Sequence, residues 1–518
     1  MVVPTHSQDT PPQTVTERSP LLQQDSPSDH DHPKSRIDDD SSATVYREIR
    51  ILTQYFGPAF VSNFLEYSLI MVPIVSLGHL STTALAAGTL ASMTANVSGL
   101  VIAQSFASAL DTMLPPAWTS GDPTLVGLWT QRMCIVMVLL NLPMLIVWLN
   151  AESILLFLRQ EPEVSRLAGL YLRGLSIGLP AYCLNQVLRR FFQCQGLFSV
   201  PTKITLLVAP INVGLTLLLI WGPEPVQLGF LGAPLAAGIS FNLIFVLSIF
   251  YLCWMMPSRR SFRSLSIDSF RGLGILVYLG LAGVAQTASE WVAWEVMTIA
   301  ASILGKASLA AHSILVVSSM TTFQAASALA MGASVRVGNL LGEGAARHAQ
   351  IVSLVSLVVG GAVSLVWCIM FISFRHHWAY LFSQDPEVVA IVAAIMPLVG
   401  FLQFLDGIAA LSSGILRACG RQGIAAIIVF FSYYVVGIPA ALALAFKAHM
   451  DLLGLWLGVS LGYAFTTFFQ LVVIALFNWD TEADKAQKRL QETPQVLDGQ
   501  SLTNYLYECS SILETSHC

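Results

Sequence analysis

Four acidic side chains stand in stretches that otherwise carry little polarity. Glu290 and Glu295 share "LGLAGVAQTASEWVAWEVMTIAASILG", Asp406 sits in "FLDGIAA", and Glu66 interrupts "NFLEYSL". An ionisable group in an apolar span is rare and as a rule faces a cavity or a pathway. Low dielectric penalises the charged form of a carboxyl group, so an acid held there can take a proton near neutral pH or, once ionised, hold a cation. One group doing each in turn is the minimal device for exchanging a proton for an organic cation. Glu290, Glu295, Asp406 and Glu66 are therefore the candidates for proton or cation coupling; the competing reading makes them protonated, hydrogen-bonded glue between helices. At about 100° per residue, Glu290 and Glu295 project roughly 140° apart on one helix. Glu290 is expected to face a cavity, with Glu295 at its flank.

The surroundings dictate what must position these acids. Of 518 residues, 55% are hydrophobic and 11% charged, against about 25% charged in a soluble protein, and the mean hydropathy is +0.67. Apolar runs of about 20 residues, each long enough to cross a bilayer, recur through most of the chain. The reading is an all-α membrane protein with twelve transmembrane helices, at 52–76, 83–112, 125–149, 164–190, 201–222, 229–255, 271–301, 307–335, 350–373, 388–416, 424–446 and 453–478. The eight cysteines are scattered singly, so neither a metal site nor a disulfide framework is expected.

An even number of spans puts both termini on one side. Under the positive-inside rule, loops on that side hold Arg189, Arg190, Lys203, Arg259, Arg260, Arg263, Arg271, Arg336, Arg347, Arg417 and Arg421; the opposite loops hold Arg159, Arg166, Lys306, Arg375 and Lys447. Eleven against five predicts cytosolic tails. Residues 1–50 are rich in Ser, Thr, Pro and Asp and read as a disordered tail. Within them "ERSPLL" has the form of an adaptor-read sorting signal carried by Glu17, Leu21 and Leu22. Residues 257–270 read as a cytosolic linker and 479–518 as a polar cytosolic tail.

The two halves between these tails are copies. Glu66 pairs with Glu290, Leu85-Ala86-Ala87 with Leu309-Ala310-Ala311, Pro162-Glu163-Val164 with Pro386-Glu387-Val388, and Gly196 with Gly420, each at an offset of 224. Two pseudo-symmetric six-helix lobes follow, 51–256 and 271–478. Six being even, the second lobe enters the membrane in the same sense as the first, a parallel repeat of the kind secondary transporters use.

Here the residues resemble a known family, the multidrug and toxic compound extrusion (MATE) transporters in their eukaryotic branch. The resemblance covers residues 51 to 478. It rests on "YSLIMVPIVSLGHLSTTALAAGTLA", "ASALDT" and "LRRFFQCQG" in one half, and on "SEWVAWEVMTIAASILGKASLAAHSIL", "GASVRVGNLLGEG", "LDGIAALSSGILRACGRQG" and "YYVVGIPAALALAF" in the other. It implies antiport of organic cations or xenobiotics against protons, with functional acids in the seventh and tenth spans, matching Glu290, Glu295 and Asp406. Two departures stand out. A Gly-rich loop that the family commonly carries after "ALDT" reads Pro115-Pro116-Ala117-Trp118-Thr119 here, so a cytosolic loop that is stiffer or differently packed is expected. Glu66 stands where relatives often carry Gln.

Other polar and aromatic residues are secondary candidates. Trp291, Trp294, Tyr433 and Tyr434 offer ring faces for a cation, and Gln286, Asn63 and Asn212 are candidates for the cavity wall, with interhelical bonding the alternative. His312 reads as a packing histidine, and Asp111 as a cap. No phosphate-binding Gly-rich loop with Lys-Ser/Thr is present, so transport is expected to run on an ion gradient without a cofactor. Protons are preferred over Na+ because single acids dominate the second lobe. An enzyme lacks a nucleophile–base set; a channel lacks a filter-like loop. A flippase for a lipid-linked substrate remains the nearest rival. The expected partners are the lipid bilayer and small organic cations, not nucleic acid, for a monomer in a vacuolar or lysosomal type of membrane or in the plasma membrane. Replacing Leu21 and Leu22 by Ala should move the protein to a different membrane, as followed by imaging a fluorescent fusion; an unchanged distribution removes the sorting role.

Overall fold

Twelve apolar helices carry the structure, a computed structural model that describes residues 41–256 and 267–491. They are α1 (Thr44–Gly78), α2 (Thr82–Thr119), α3 (Thr124–Leu149), α4 (Pro162–Cys194), α5 (Ser199–Trp221), α6 (Gly229–Met255), α7 (Leu273–Ile303), α8 (Lys306–Gly342), α9 (Ala346–Leu381), α10 (Pro386–Ala418), α11 (Gln422–Lys447) and α12 (Asp451–Ala475). The chain divides into two units at Thr44, and all that follows concerns the second, Val45 onward. Glu17, Leu21 and Leu22, and residues 257–266 of the linker, lie outside the described residues.

Two of the repeat signatures turn out to be helix-boundary devices at equivalent places. Pro162 and Pro386 open α4 and α10 at their first positions, where a missing N–H costs nothing. The Asp385 carboxylate accepts the Glu387 amide at 3.0 Å to cap the second of these. Gly196 and Gly420 follow the ends of α4 and α10 with φ of 78° and 73°, the left-handed geometry glycine adopts without penalty. Each lobe buries its own core: one cluster runs from Leu69 to Ile244 and extends onto Leu276 and Leu279 of α7, another from Ala293 to Tyr463.

The lobes meet through two contacts related by the repeat. α2 packs on α7, where Phe106 and the Ser105 carbonyl fill the space beside Gly280 and Gly283. α1 packs on α8, where Tyr55 lies over Gly332. A third contact closes the end that carries the start of α1. The expected loop Pro115–Thr119 is helical, as the last turns of α2. The reason lies across the lobe boundary: α8 also continues beyond the expected 335 to Gly342, and a Cβ at Gly338 would strike Pro115 while one at Gly342 would strike Pro116 and Thr119. The glycines serve close helix packing rather than a flexible turn. Thr119 Oγ1 donates to the Asn339 carbonyl at 2.6 Å, and Gln422 Nε2 to the Ser108 carbonyl at 3.2 Å.

Charges expected in loops are drawn into this same end. Arg189, Arg190 and Arg336 are buried within helices, each beside an acid. The α1 span extends back to Thr44 rather than 52, within a helix that starts at Ser41, and fully buried Glu48 on it receives Arg336 Nε at 2.8 Å and Nη2 at 2.6 Å, with His348 Nε2 at 3.3 Å. The region expected as a polar tail starts with a helix, α13 (Trp479–Gln491). Its Trp479, Ala483 and Ala486 pack beneath α8, α9 and α10, and Glu482 bonds Arg421 at 2.7 Å. Breaking a buried ion pair by removing one partner costs about 3–5 kcal/mol. Arg336→Ala should therefore lower the melting temperature of the detergent-solubilised protein substantially, whereas Arg347→Ala, next to the half-exposed start of α9, should leave it near the wild type.

Candidate functional site

Close approach of α11 and α12 builds the second-lobe site. Gly454, Gly458 and Gly462 recur every fourth residue along α12, and a Cβ on Gly458 would collide with Ala441. Small residues at this spacing let two helix backbones touch. Directly after this stripe comes Tyr463, whose hydroxyl donates to Glu290 Oε1 at 3.0 Å. On α11, residues Ser432–Gly437 form a wider helical turn, a feature that inserts one residue and re-aims side chains, often at functional sites. Within it Tyr433 is buried and set edge-on to Tyr463, the ring centroids 5.7 Å apart. Tyr434 OH donates to the Ser289 carbonyl at 3.3 Å, next to Glu290.

Asp406 joins this group from α10. It is only 6% exposed and lies within electrostatic reach of Glu290, Tyr433 and Tyr463. The glycine after it, Gly407, makes room for Ser364 of α9, not for a ligand. A polar chain continues towards the end that carries the start of α1: Gln286 Nε2 donates to Ser413 Oγ at 3.2 Å, and Gln470 Nε2 to the same oxygen at 3.0 Å. Glu290, Asp406, Tyr433 and Tyr463 thus gather four helices around two acids. Among the described residues, no lysine or arginine is found among the groups acting on either acid.

The remaining candidates separate. Glu295 is exposed on the stripe of α7 that also carries Val292 and Ile299 and takes no part in the cluster. Trp294 is buried against Trp456, ring centroids 5.7 Å apart, so it is core, while Trp291 is half-buried. His312 packs on the same Trp456 and lies 3.2 Å from Thr298 Oγ1. Asn212 fastens α5 to α6 through Ser240 Oγ at 2.9 Å. Asp111 does not cap a turn; it is buried between Arg190 at 3.3 Å and Arg417 at 3.6 Å. In the first lobe, Glu66 accepts Gln186 Nε2 at 2.6 Å and is ion-paired with Arg189, which also donates to Asn63 Oδ1.

Matched six-helix lobes with acids buried among them are the architecture of a membrane transporter. The chain belongs to the MATE transporters, in their eukaryotic branch: the MatE family model matches residues 58–218 and 284–443, once in each lobe. It is 34% identical to transporter C4B3.13 of Schizosaccharomyces pombe, over 88% of this chain and 84% of that one. It is 28% identical to multidrug and toxin extrusion protein 2 of Mus musculus, over 88% and 79%. The crystal structure of the eukaryotic MATE transporter AtDTX14 superposes with a TM-score of 0.81 at 28% identity, covering 86% of this chain and 100% of that one. The protein is thus an integral, multi-pass membrane transporter of the multidrug and toxin extrusion family, and members of this family are not enzymes.

Tyr463 is the residue the sequence reading missed; the glycine stripe "LGLWLGVSLGY" was its signal. A hydrogen bond to a charged group contributes about 1.5–3 kcal/mol. Tyr463→Phe should reduce transport at limiting substrate by about tenfold or more while leaving the protein folded, as measured by initial uptake rates in proteoliposomes alongside melting temperature.

Proposed function

We propose that the protein exports organic cations in exchange for protons, the two competing for the Glu290–Asp406 site. What carries this reading is a pair of acids, gathered by four helices and hydroxyl groups, with no basic side chain acting on them among the described residues. A carboxylate in that setting needs a counter-charge, and a proton or an organic cation supplies it equally well. Protons neutralise the acids and release the passenger; deprotonation readies the site for the next one. Tyr433 and Tyr434 add rings near the acids, which suits cations with delocalised or alkylated nitrogen.

Rocking of the lobes then alternates which side reaches the site. We read both termini as cytosolic, which is supported by Arg271, Arg347 and Arg421 near helix ends on the side of α1's start. A vacuolar or lysosomal type of membrane, or the plasma membrane, would each present the outward pH gradient such an exchanger uses.

The test is uptake of tetraethylammonium into proteoliposomes with an imposed pH gradient or, separately, an imposed Na+ gradient. The expected result is uptake driven by pH and not by Na+. Glu290→Gln and Asp406→Asn should each abolish it without loss of the folded, monodisperse protein. Undiminished pH-driven uptake by Glu290→Gln, or uptake driven by Na+ alone, would refute the reading.

A further inference from the structure

The two lobes hold glutamates at equivalent positions, 66 and 290, yet they are satisfied in opposite ways. Glu290 receives a tyrosine hydroxyl. Glu66 receives a guanidinium: Arg189 pairs with its Oε2 and donates its second arm to Asn63 Oδ1. Asn63 and Glu66 are three residues apart on α1, so both oxygens face the same way, and Gln186, three residues before Arg189 on α4, holds the other carboxylate oxygen at 2.6 Å. The equivalent of Arg189 at the repeat offset is Ser413, which in the second lobe serves two glutamines. The guanidinium is therefore a feature of the first lobe alone. Arg189 is 5% exposed and Glu66 20%, and both line a cavity with Tyr182, Asn185, Thr205 and Ser248.

A carboxylate and an amide oxygen converging on a planar cation, beside a tyrosine and a set of hydroxyls, is the chemistry of an organic-cation site. We infer that the first lobe contains such a site, of a size and shape for guanidinium-type cations, and that the chain's own Arg189 side chain occupies it. The tethered cation never leaves, so the passenger and the proton are left with the second lobe. That consequence rests on the function proposed above; the existence of the site does not.

Methylguanidinium is the probe, and binding is read without transport. Full-length Arg189→Ala in detergent should show a saturable rise in melting temperature with methylguanidinium chloride. The wild type, its site already filled, should show none, and neither should Glu66→Gln/Arg189→Ala. Tetramethylammonium chloride at the same concentration, which brings the same charge without N–H donors, should leave all three unchanged. Should Arg189→Ala be unstable alone, methylguanidinium added during solubilisation should restore its monodisperse peak. A folded Arg189→Ala without a saturable response, a response that persists in the double variant, equal action by tetramethylammonium, or failure to restore the peak each overturns the inference. Normal pH-driven uptake by Glu290→Gln would instead sink the second-lobe mechanism and leave this result standing.

Discussion

A carboxylate surrounded by apolar helices has lost the water that made it comfortable as an anion. It must recover that solvation from donors, from a fixed cation, or from a proton. Most of the buried acids here take the second course: Glu48 with Arg336, Asp111 with Arg190 and Arg417, Glu482 with Arg421, Glu66 with Arg189. Each of these is neutralised by a cation that belongs to the chain, and so each is closed to exchange. Glu290 has a tyrosine hydroxyl instead, and Asp406 has Glu290 within electrostatic reach. On the function proposed here, the contrast separates acids that hold the fold from acids left open to exchange, and it is drawn by partners rather than by depth of burial.

Why the open acids stay open is a matter of backbone approach. The four-residue glycine spacing on α12 brings α11 close enough for Tyr433 and Tyr463 to meet edge-on, and the wide turn at Ser432–Gly437 rotates Tyr433 inward. Hydroxyls stabilise either form of a neighbouring acid, donating to a carboxylate and accepting from a carboxyl. A guanidinium stabilises only the ionised form. A titratable group that has to change state with every cycle needs the first kind of neighbour, which the second lobe supplies and the first lobe replaces with Arg189.

The span count, the lobes and the acids at 66, 290 and 406 were legible because they are properties of pattern: apolar length, a constant offset, a charge out of place. What escaped was pairing across helices. Arg189, Arg190 and Arg336 read as loop cations because a lone arginine near the end of an apolar run looks like a flank, and only the folded lobe reveals the acid opposite. Glu48 was assigned to the tail because the composition of residues 1–50 reads as disordered. The Pro115–Thr119 segment read as a loop because the resembled family carries a Gly-rich loop at that place. It stays helical because α8 presents Gly338 and Gly342 to receive it. Glu295 looked equal to Glu290 in sequence, and the helical phase that separated them on paper places them in different environments in the fold.

Asp111 shows how the fixed pairs constrain the moving part. It is 3% exposed and is shared between Arg190 of its own lobe and Arg417 of the other, while Thr112 of the same turn donates to the Arg417 carbonyl at 2.5 Å. Any rocking that opens this end must carry Arg417 away from Asp111, leaving Arg190 as its partner. The Arg417 side chain is already 21% exposed whereas that of Asp111 is 2% exposed, so in such a separation it is the carboxylate that depends on keeping a second cation, Arg190. Asp111 thereby ties the two lobes together at this end through charge as well as through packing.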